Sequence, residues 1–571
     1  MLHINWLTLA IQLRTMKKHT PYSDFIQQVP KLGNEFEDDT FLNDYLETYL
    51  PKETLSEIRP DLKQFGGRVG HEFLVWARDA EVNEPTLTQF DAWGNRVDEI
   101  KVADGWKHLE RVAAEDGLVA IAYERKQGEY SRLYQFVKLY MYTASSAIYT
   151  CPLAMTDGAA RLIEIYGDEY LKGEPFEGLT SRDPMKFKTS GQWMTERTGG
   201  SDISRSMTFA YPDGDNFELK GHKWFTSAIT ADMAFTLASM EQPENGKRAS
   251  LSVFHLPIRN KDGKLNGIVV EALKDKLGTR ALPTAQLELT GAKARLVGEK
   301  GKGVKTISTL FNITRIYNTV SAVSYMRRAY ALPKAYAEMR EAFGQNIGQH
   351  VLYKKSLRKL EITYQSNLML ALFLTRLLGK EECDLASETE RSLLRLLTPV
   401  AKLYTAKQAI ASASECIEMF GGLGYLEDTG IPSILRDTQT LSIWEGTTNV
   451  LSLDMLRAAE KENGLNAFAS FAKELMEQDH APWLKDLHST VGTKLNTLLD
   501  FVSSVRSAED MIAYSRDVAF YLAELTISLL WLDFLRLNSE KKEYAQTLTY
   551  WSTYKMNDAQ LKEAEVLGLR R

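Results

Sequence analysis

The spacing of hydrophobic residues changes twice along the chain and divides it into three parts. In residues 41–167 apolar residues recur every three or four positions, as in RLYQFVKLYMYTASSAIYT, which predicts helices. A turn-rich stretch follows at 173–191. From Val304 the helical period returns and persists to the end.

Between the two helical parts, after Met194, the segments are short and alternate or are rich in β-branched residues. MTFAYPDGDNFELKGHKWF predicts two strands joined by a turn at Pro212, Asp213 and Gly214. ASLSVFHLPI, GIVVEAL and AQLELTGAKARLVG predict further strands. About a hundred residues of strands set between helices favour an inserted β-domain over βαβ units.

These patterns predict an α+β, mainly α chain, and 571 residues are enough for several domains. The divisions that we expect are an N-terminal extension at 1–40, a helical domain at 41–190, a β-domain at 191–298, a helical domain at 299–460 and a helical C-terminal extension at 461–571.

A regular apolar seam lies in the C-terminal extension. It repeats at spacings of 4, 3, 4 and 3 through Val518, Leu522, Leu525, Leu529 and Leu532. The core of a helix bundle is favoured over a partner-binding face.

Composition is typical of a globular protein, with 44% hydrophobic and 25% charged residues. The net charge of −6 argues against a general polyanion binder. No uncharged apolar run approaches the roughly 18 residues of a membrane span. Cys151, Cys383 and Cys416 lack metal-binding or disulfide spacing, which predicts a reduced, intracellular chain with no metal site.

The first residues, MLHINWLTLAIQLRTMKK, are basic and contain no acid. They fit a mitochondrial presequence except that they lack the usual serine richness, and a true start at Met16 is the alternative. The sequence therefore leaves the cytoplasm and the mitochondrial matrix as alternatives.

Two stretches at the start of the β-rich part can hold a ligand. In MTERTGGSD the glycines Gly199 and Gly200 allow close backbone approach, and Thr195 and Ser201 offer hydroxyl groups. In GHKWFTS an aromatic and a hydroxyl two residues apart share one strand face. Each pattern alone is also typical of an ordinary turn or a strand core.

Two further stretches lie in the second helical part. Arg315 and Arg340 are separated by 25 residues, about 40 Å on a continuous helix, so they cannot share one small ligand. MFGGLGYLEDTG has a glycine-rich break at Gly421 and Gly422, and Glu445 follows two apolar residues in SIWEG. Alone, the arginines fit a solvated helix face and the glutamate fits a helix end.

Together and in this order, the four stretches resemble the acyl-CoA dehydrogenase family from about Tyr140 to Arg457. GHKWF, IWEG, MRRA and the long extensions at both ends resemble its AidB-like branch. The resemblance implies an N-terminal helical domain, a middle β-barrel-like domain and a C-terminal four-helix bundle. It also implies FAD between the β-domain and the bundle.

The family's functional positions carry over to residues of this chain. The resemblance assigns FAD contacts to Met194, Thr195, Ser201, Phe225, Ser227, Arg340, Phe343, His350, Gly421, Gly422, Thr447 and Asn449. It assigns substrate contacts to Arg315, Ser201 and Trp444. Trp224 and Thr226 fit the aromatic and hydroxyl pair as alternatives to Phe225 and Ser227. Arg340, Phe343, His350 and the two glycines would reach the FAD of a neighbouring subunit, which requires a homodimer or homotetramer.

Glu445 falls on the family's catalytic base. Some members place the base just before the arginine that corresponds to Arg315, but this chain has Thr314 there, which cannot act as a base. The resemblance thus implies an FAD-dependent dehydrogenase that oxidises a medium- or long-chain fatty acyl-CoA to the 2,3-enoyl-CoA, with electron-transferring flavoprotein as a possible acceptor. An acyl-CoA oxidase, and an AidB-like flavoprotein that sequesters acyl-CoA with little turnover, are the alternatives.

One AidB-like property, DNA binding through the C-terminal part, is disfavoured by charge. Residues 459–571 contain 13 Lys and Arg against 17 Asp and Glu, a net charge of −4. A surface that follows phosphates needs clustered positive charge. We therefore do not expect nucleic acid as a partner.

Overall fold

A computed structural model describes residues 27–241 and 250–563. The possible presequence lies outside the described residues. Helices dominate the two ends of the chain and a mixed sheet occupies the middle, so the predicted α+β, mainly α fold class is confirmed.

The N-terminal part is a helical array interrupted by a β-hairpin. Its helices are α1 Thr40–Tyr49, α2 Lys52–Val69, α3 Glu72–Val82, α4 Asp104–Glu115, α5 Ala120–Glu124, α6 Ser131–Thr143, α7 Thr150–Tyr166, α8 Glu169–Lys172 and α9 Glu174–Leu179.

The hairpin corrects the prediction that residues 41–167 contain only helices. Strands β1 (Thr86–Phe90) and β2 (Arg96–Lys101) pair antiparallel around a turn at Gly94, whose φ is +83°. The sequence TLTQF alternates with period two, a short signal amid longer helical patterns. Arg96 and Gln89 donate to the backbone of Val270, so the hairpin extends the contact with the β-domain.

The middle part is a seven-stranded sheet. Its strands are β3 Ser190–Trp193, β4 Phe209–Asp213, β5 Asn216–Ser227, β6 Met233–Ser239, β7 Leu251–Pro257, β8 Ile268–Leu273 and β9 Thr284–Val297.

Five of these strands close into a ring, in the order β4, β5, β9, β7, β6 and back to β4. The predicted turn between β4 and β5 is present, with Asp213 opposite Asn216. Strand β3 lies parallel to β6 outside the ring. Trp193 on β3 and Phe254 on β7 are fully buried in the core of this barrel-like unit.

The second helical part begins with the 37-residue helix α10, Gly303–Met339, which continues through Pro333. A two-residue hairpin, β10 (Glu341–Ala342) and β11 (Gln345–Asn346), follows it. The remaining helices of this part are α11 Val351–Glu382, α12 Glu388–Met419, α13 Ile431–Leu441 and α14 Thr448–Lys461.

The C-terminal extension is helical as predicted. It contains α15 Gly464–Met476, α16 Lys485–Ser504, α17 Ala508–Leu537 and α18 Ala545–Tyr550. All five residues of the predicted seam are buried on α17. Among the described residues α17 alone is long and apolar enough to cross a membrane, but 89% of its apolar window is buried, which is typical of a core helix.

A buried ion network joins the N-terminal helices to the second helical part. Arg132 on α6 is 1% exposed and donates to both carboxylate oxygens of Asp157 on α7 and of Glu382 on α11. Tyr317 on α10 donates to Asp157 at 2.8 Å. Because each buried charge has hydrogen-bonded partners, the network fixes α6, α7, α10 and α11 relative to one another.

Candidate functional site

Glu445 lies in a tight turn between α13 and α14, at the junction of the β-domain and the helical bundle. Its φ is +54°, in the left-handed region that few non-glycine residues adopt. The next residue, Gly446, has φ of +104°, which a side chain would strain. Such outliers are typical of positions that the surrounding structure holds for a function.

The Glu445 carboxylate is held by one donor from each side of the junction. Gln192 on β3 donates from Nε2 to Oε1 at 3.0 Å, and Thr314 on α10 donates from Oγ1 to Oε2 at 2.7 Å. The Oε1 of Gln192 is buried and has no partner among the described residues. The site therefore has an acceptor available for a ligand next to the candidate base.

Two basic side chains, Lys402 and Arg315, donate hydrogen bonds to the backbone of the turn. Lys402 on α12 donates from Nζ to the carbonyl oxygens of Trp444 and Gly446, at 2.6 and 2.7 Å. Burial lowers the pKa of Lys402 to about 7, against the opposing effect of the Glu445 carboxylate. Arg315 donates from Nη1 to Asp454 at 2.7 Å and from Nε to the Glu445 carbonyl oxygen at 3.4 Å.

The Trp444 side chain is half-buried and contacts α10. Its indole Nε1 donates to the side-chain carbonyl of Asn318 on α10, and Asn318 donates to the Leu441 carbonyl oxygen at 3.2 Å. The indole is thus fixed in orientation beside Glu445.

The predicted flavin loop begins at the end of β3, close to this junction. Met194 is buried, Ser201 is exposed, and the Thr195 carbonyl accepts from the Trp224 N–H at 2.9 Å. Glu196 anchors the loop, because its buried carboxylate accepts from Lys223 at 2.9 Å and from the Thr208 hydroxyl at 2.6 Å. Gly199 has φ of +133°. Of the two predicted glycines, Gly199 and Gly200, only Gly199 has a positive φ.

The strand β5 offers two aromatic and hydroxyl pairs, and their surroundings differ. Lys274 Nζ lies 3.2 Å from the centre of the Trp224 ring, and Thr226 is buried and donates to a backbone carbonyl. Phe225 is 53% exposed and Ser227 is half-buried. The open pair, Phe225 and Ser227, is therefore better placed to meet a ligand.

A second group of predicted residues lines an open cavity of about 730 Å³ at the far end of α10. Phe343, at the tip of the β10–β11 hairpin, is 96% exposed and has φ of +53°. A Cβ built on Gly421 or Gly422 meets no atom within 4 Å. The cavity brings together Arg340, Phe343, His350, Gly421 and Gly422, and Glu415 and Glu418 also line it.

Thr447 and Asn449 lie at the start of α14. Thr447 is its N-cap residue, and the Asn449 side-chain oxygen accepts from Arg516 Nη1 at 3.1 Å. Arg516 belongs to α17, so the C-terminal extension reaches a residue predicted to contact FAD.

The predicted site residues thus form two groups on one chain. Glu445, Trp444, Arg315 and the β-domain residues surround the junction, whereas the cavity group lies about 25 residues farther along α10, roughly 40 Å away. Sequence reasoning missed Gln192 and Lys402. Lys402 carried a weak signal, since it is a charge inside the apolar helical run LLTPVAKLY.

Three family models match successive parts of the chain. The AidB N-terminal domain matches residues 27–183, the acyl-CoA dehydrogenase middle domain matches 191–292, and the acyl-CoA dehydrogenase C-terminal domain matches 301–460.

Individual relatives agree with these matches. Acyl-CoA dehydrogenase family member 11 of Caenorhabditis elegans is 41% identical over 90% of this chain and 87% of its own length. Putative acyl-CoA dehydrogenase AidB of Escherichia coli is 30% identical over 71% of this chain and 74% of its own. The crystal structure of C. elegans ACDH-11 in complex with C11-CoA matches with a TM-score of 0.90 and 38% identity, and covers 97% of this chain and 95% of that one. This chain therefore belongs to the acyl-CoA dehydrogenase family, in the branch that carries the AidB-type N-terminal domain.

Proposed function

We propose that the protein is an FAD-dependent dehydrogenase that oxidises fatty acyl-CoA to the 2,3-enoyl-CoA, with Glu445 as the base that removes the α-proton. The observation that carries this proposal is the geometry of Glu445. Its carboxylate lies between β3 and α10, and the buried amino group of Lys402 donates to two carbonyl groups of its turn. Family membership makes acyl-CoA the expected substrate class.

The residues present fit FAD in two respects. The open space at Gly421 and Gly422 lets a diphosphate approach backbone N–H groups, as glycine-rich segments do elsewhere. The solvent-exposed Phe343 offers a large apolar surface that an adenine ring can cover. Met194, Thr195, Ser201, Phe225, Ser227, Thr447 and Asn449 would hold the remainder of the cofactor. When bound, FAD supplies the acceptor for the substrate's β-hydrogen, which leaves as hydride.

The chain's own residues account for the proton transfer. The Glu445 N–H donates to no group within residues 27–241 and 250–563, so it is available to the thioester carbonyl oxygen. A hydrogen bond there stabilises the negative charge that develops on that oxygen and makes the α-proton more acidic. The Glu445 carboxylate then accepts this proton. Trp444, Ser201 and Arg315 are the proposed substrate contacts, with Arg315 acting beside its ion pair with Asp454.

The separation of the two site groups supports a homodimer or homotetramer. Arg340, Phe343, His350, Gly421 and Gly422 lie too far from Glu445 to hold the same end of one FAD within a single subunit. They would instead contact the FAD of a neighbour. We propose electron-transferring flavoprotein as the electron acceptor and an intracellular location.

A specific observation favours a second candidate function, binding of acyl-CoA without efficient turnover. Both oxygens of Glu445 already accept hydrogen bonds from the protein, and the substrate's α-proton must compete with these donors. A base held in this way reacts more slowly than one with a free oxygen.

Anaerobic titration of the FAD-loaded protein with saturated acyl-CoAs of graded length separates these functions. ACDH-11 was crystallised with C11-CoA, so the series should bracket eleven carbons. Loss of flavin absorbance together with release of enoyl-CoA supports the dehydrogenase. Saturable binding with unchanged absorbance at every chain length would refute it in favour of the binding protein. Release of hydrogen peroxide on admission of air would identify an acyl-CoA oxidase.

A further inference from the structure

Three consecutive carbonyl groups of the turn, those of Trp444, Glu445 and Gly446, accept hydrogen bonds from basic side chains. Lys402 binds the carbonyl oxygens of Trp444 and Gly446, and Arg315 binds that of Glu445. The two Lys402 hydrogen bonds, at 2.6 and 2.7 Å, are shorter than the Arg315 hydrogen bond, at 3.4 Å. One amino group therefore links the residue before the candidate base to the residue after it.

Lys402 is an unusual side chain to find in this place. It is 1% exposed in the middle of α12, and it forms no ion pair with a carboxylate among the described residues. Burying a lysine without a counter-charge is unfavourable, so the two backbone carbonyls are its compensation. An apolar residue at this point of the helix core would avoid that cost but would leave both carbonyls without a donor.

The contacts of Lys402 and Arg315 explain how Glu445 keeps its left-handed conformation. A non-glycine residue with φ of +54° persists only where its surroundings fix the adjoining peptides. Lys402 holds the peptide before Glu445, and Arg315 holds the peptide after it. Since each trans peptide is planar, holding the Trp444 carbonyl on the Lys402 side directs the Glu445 N–H to the other side. On that side the N–H has no acceptor among the described residues, and the proposed function puts the thioester carbonyl there.

We propose that Lys402 is a positioning residue that bridges the Trp444 and Gly446 carbonyls and so aims both the carboxylate and the N–H of Glu445 at the substrate. This inference rests on the proposed function for its chemical consequence. Lys402 touches neither substrate nor cofactor in this assignment, and it acts only through the backbone of the turn.

The test compares Lys402→Met, which removes the donor, with Lys402→Arg, which keeps donors for both carbonyls. Lys138→Met is the matched control, because Lys138 is also 1% exposed and donates to Asp61 and to the Asp116 carbonyl, away from this turn. Each FAD-loaded variant is measured by hydrogen exchange in the peptide that covers the turn and by anaerobic flavin reduction. The amides of Ile443 and Trp444 report on the turn, since both donate to the Thr440 carbonyl.

In Lys402→Met we expect the Ile443 and Trp444 amides to exchange at least about tenfold faster, and flavin reduction to slow by about 10- to 100-fold, as for small misplacements of a reacting group. The dissociation constant for acyl-CoA should change less than about threefold, and Lys402→Arg should recover most of the rate. Lys138→Met should lower thermal stability and leave both readouts unchanged.

The proposal would be overturned if the Ile443 and Trp444 amides of Lys402→Met exchanged hydrogen at the wild-type rate. It would also be overturned if the rate of flavin reduction in Lys402→Met fell only in proportion to the loss of bound FAD. If acyl-CoA fails to reduce the wild-type flavin, the proposed function is wrong. The exchange measurement still decides the bridge in that case, because it needs no turnover.

Discussion

The hydroxyl of Thr314 donates a 2.7 Å hydrogen bond to Oε2 of Glu445. The family resemblance implies that some members carry the base at the position of Thr314, and in this chain that position is in direct contact with Glu445. If Glu445 is the base, Thr314 helps to orient it.

Replacing Glu445 by glutamine tests the base directly. The amide keeps the size of the side chain but cannot accept a proton, so flavin reduction by acyl-CoA should fall about 10²- to 10⁴-fold. FAD content, measured by the ratio of absorbance at the flavin and protein bands, should be unchanged. Glu427→Gln, an exposed acid paired with Arg436, should keep normal activity. Normal turnover in Glu445→Gln would remove Glu445 from the mechanism.

Thr314→Val removes the donor to Oε2 with little change in shape. If Glu445 works as an efficient base that Thr314 orients, flavin reduction should slow about tenfold, since a hydrogen bond to a charged group contributes roughly 1.5–3 kcal/mol and part of that fixes the orientation. Faster reduction would instead show that the Thr314 donor restrains the base, as in the acyl-CoA-binding alternative. Thr319→Val is the control, because that buried hydroxyl on the same helix donates to the Arg315 carbonyl instead. Equal rates in the two variants would show that Oε2 needs no fixed donor.

Gly422→Ala tests the cofactor cavity. The added methyl group meets no protein atom within 4 Å, so thermal stability without FAD should stay the same. It projects into the open space proposed for the diphosphate, so the dissociation constant of FAD should rise about tenfold or more as backbone donors lose contact. Gly67→Ala, at another uncrowded glycine in α2, should leave FAD binding unchanged. Normal FAD affinity in Gly422→Ala would place the diphosphate elsewhere.

A partly buried acid on α3, Glu81, predicts how stability depends on pH. Burial and the neighbouring Asp437 carboxylate raise the pKa of Glu81 to about 8, from a reference of 4.5. The folded protein therefore holds a proton that the unfolded chain releases, and stability falls as pH rises through the window from 4.5 to 8.

Glu81→Gln removes the titrating carboxyl group. Its melting temperature should equal that of the wild type within error at pH 5 and lie about 2 °C higher at pH 9. Differential scanning fluorimetry from pH 5 to pH 9 measures this difference in melting temperature. Glu84→Gln, whose carboxylate is half-exposed beside Arg280, should show no such widening. A gap that is constant with pH would mean that Glu81 is ionised throughout.

The sequence predicted most of the fold because most elements carry a clear period. Strands such as β5 and β9 alternate, and the seam on α17 repeats at helical spacing. Strand β6, Met233–Ser239, escaped because all seven residues are buried, which removes the alternation that marks a strand. The β1–β2 hairpin escaped because its signal is five residues long within a helical context.

The candidate site was only partly predictable. Resemblance to a family located Glu445 and the glycine-rich segments, since those motifs are local in sequence. Gln192 reaches Glu445 across 253 residues and Lys402 reaches Trp444 across 42, and no local pattern encodes such contacts. They follow from how β3 and α12 pack around the turn, which only the folded chain shows.

The distance between the two groups of site residues along α10 has a genetic consequence. If each pocket combines the Glu445 of one subunit with the Gly421 and Gly422 of another, a subunit defective in the first and a subunit defective in the second are complementary. Mixed dimers of Glu445→Gln and Gly422→Ala subunits would contain one fully intact pocket and one doubly impaired pocket. At an FAD concentration that loads wild-type pockets but not Gly422→Ala pockets, random reassembly of the two impaired parents would then restore about a quarter of the wild-type pockets, as twofold symmetry requires.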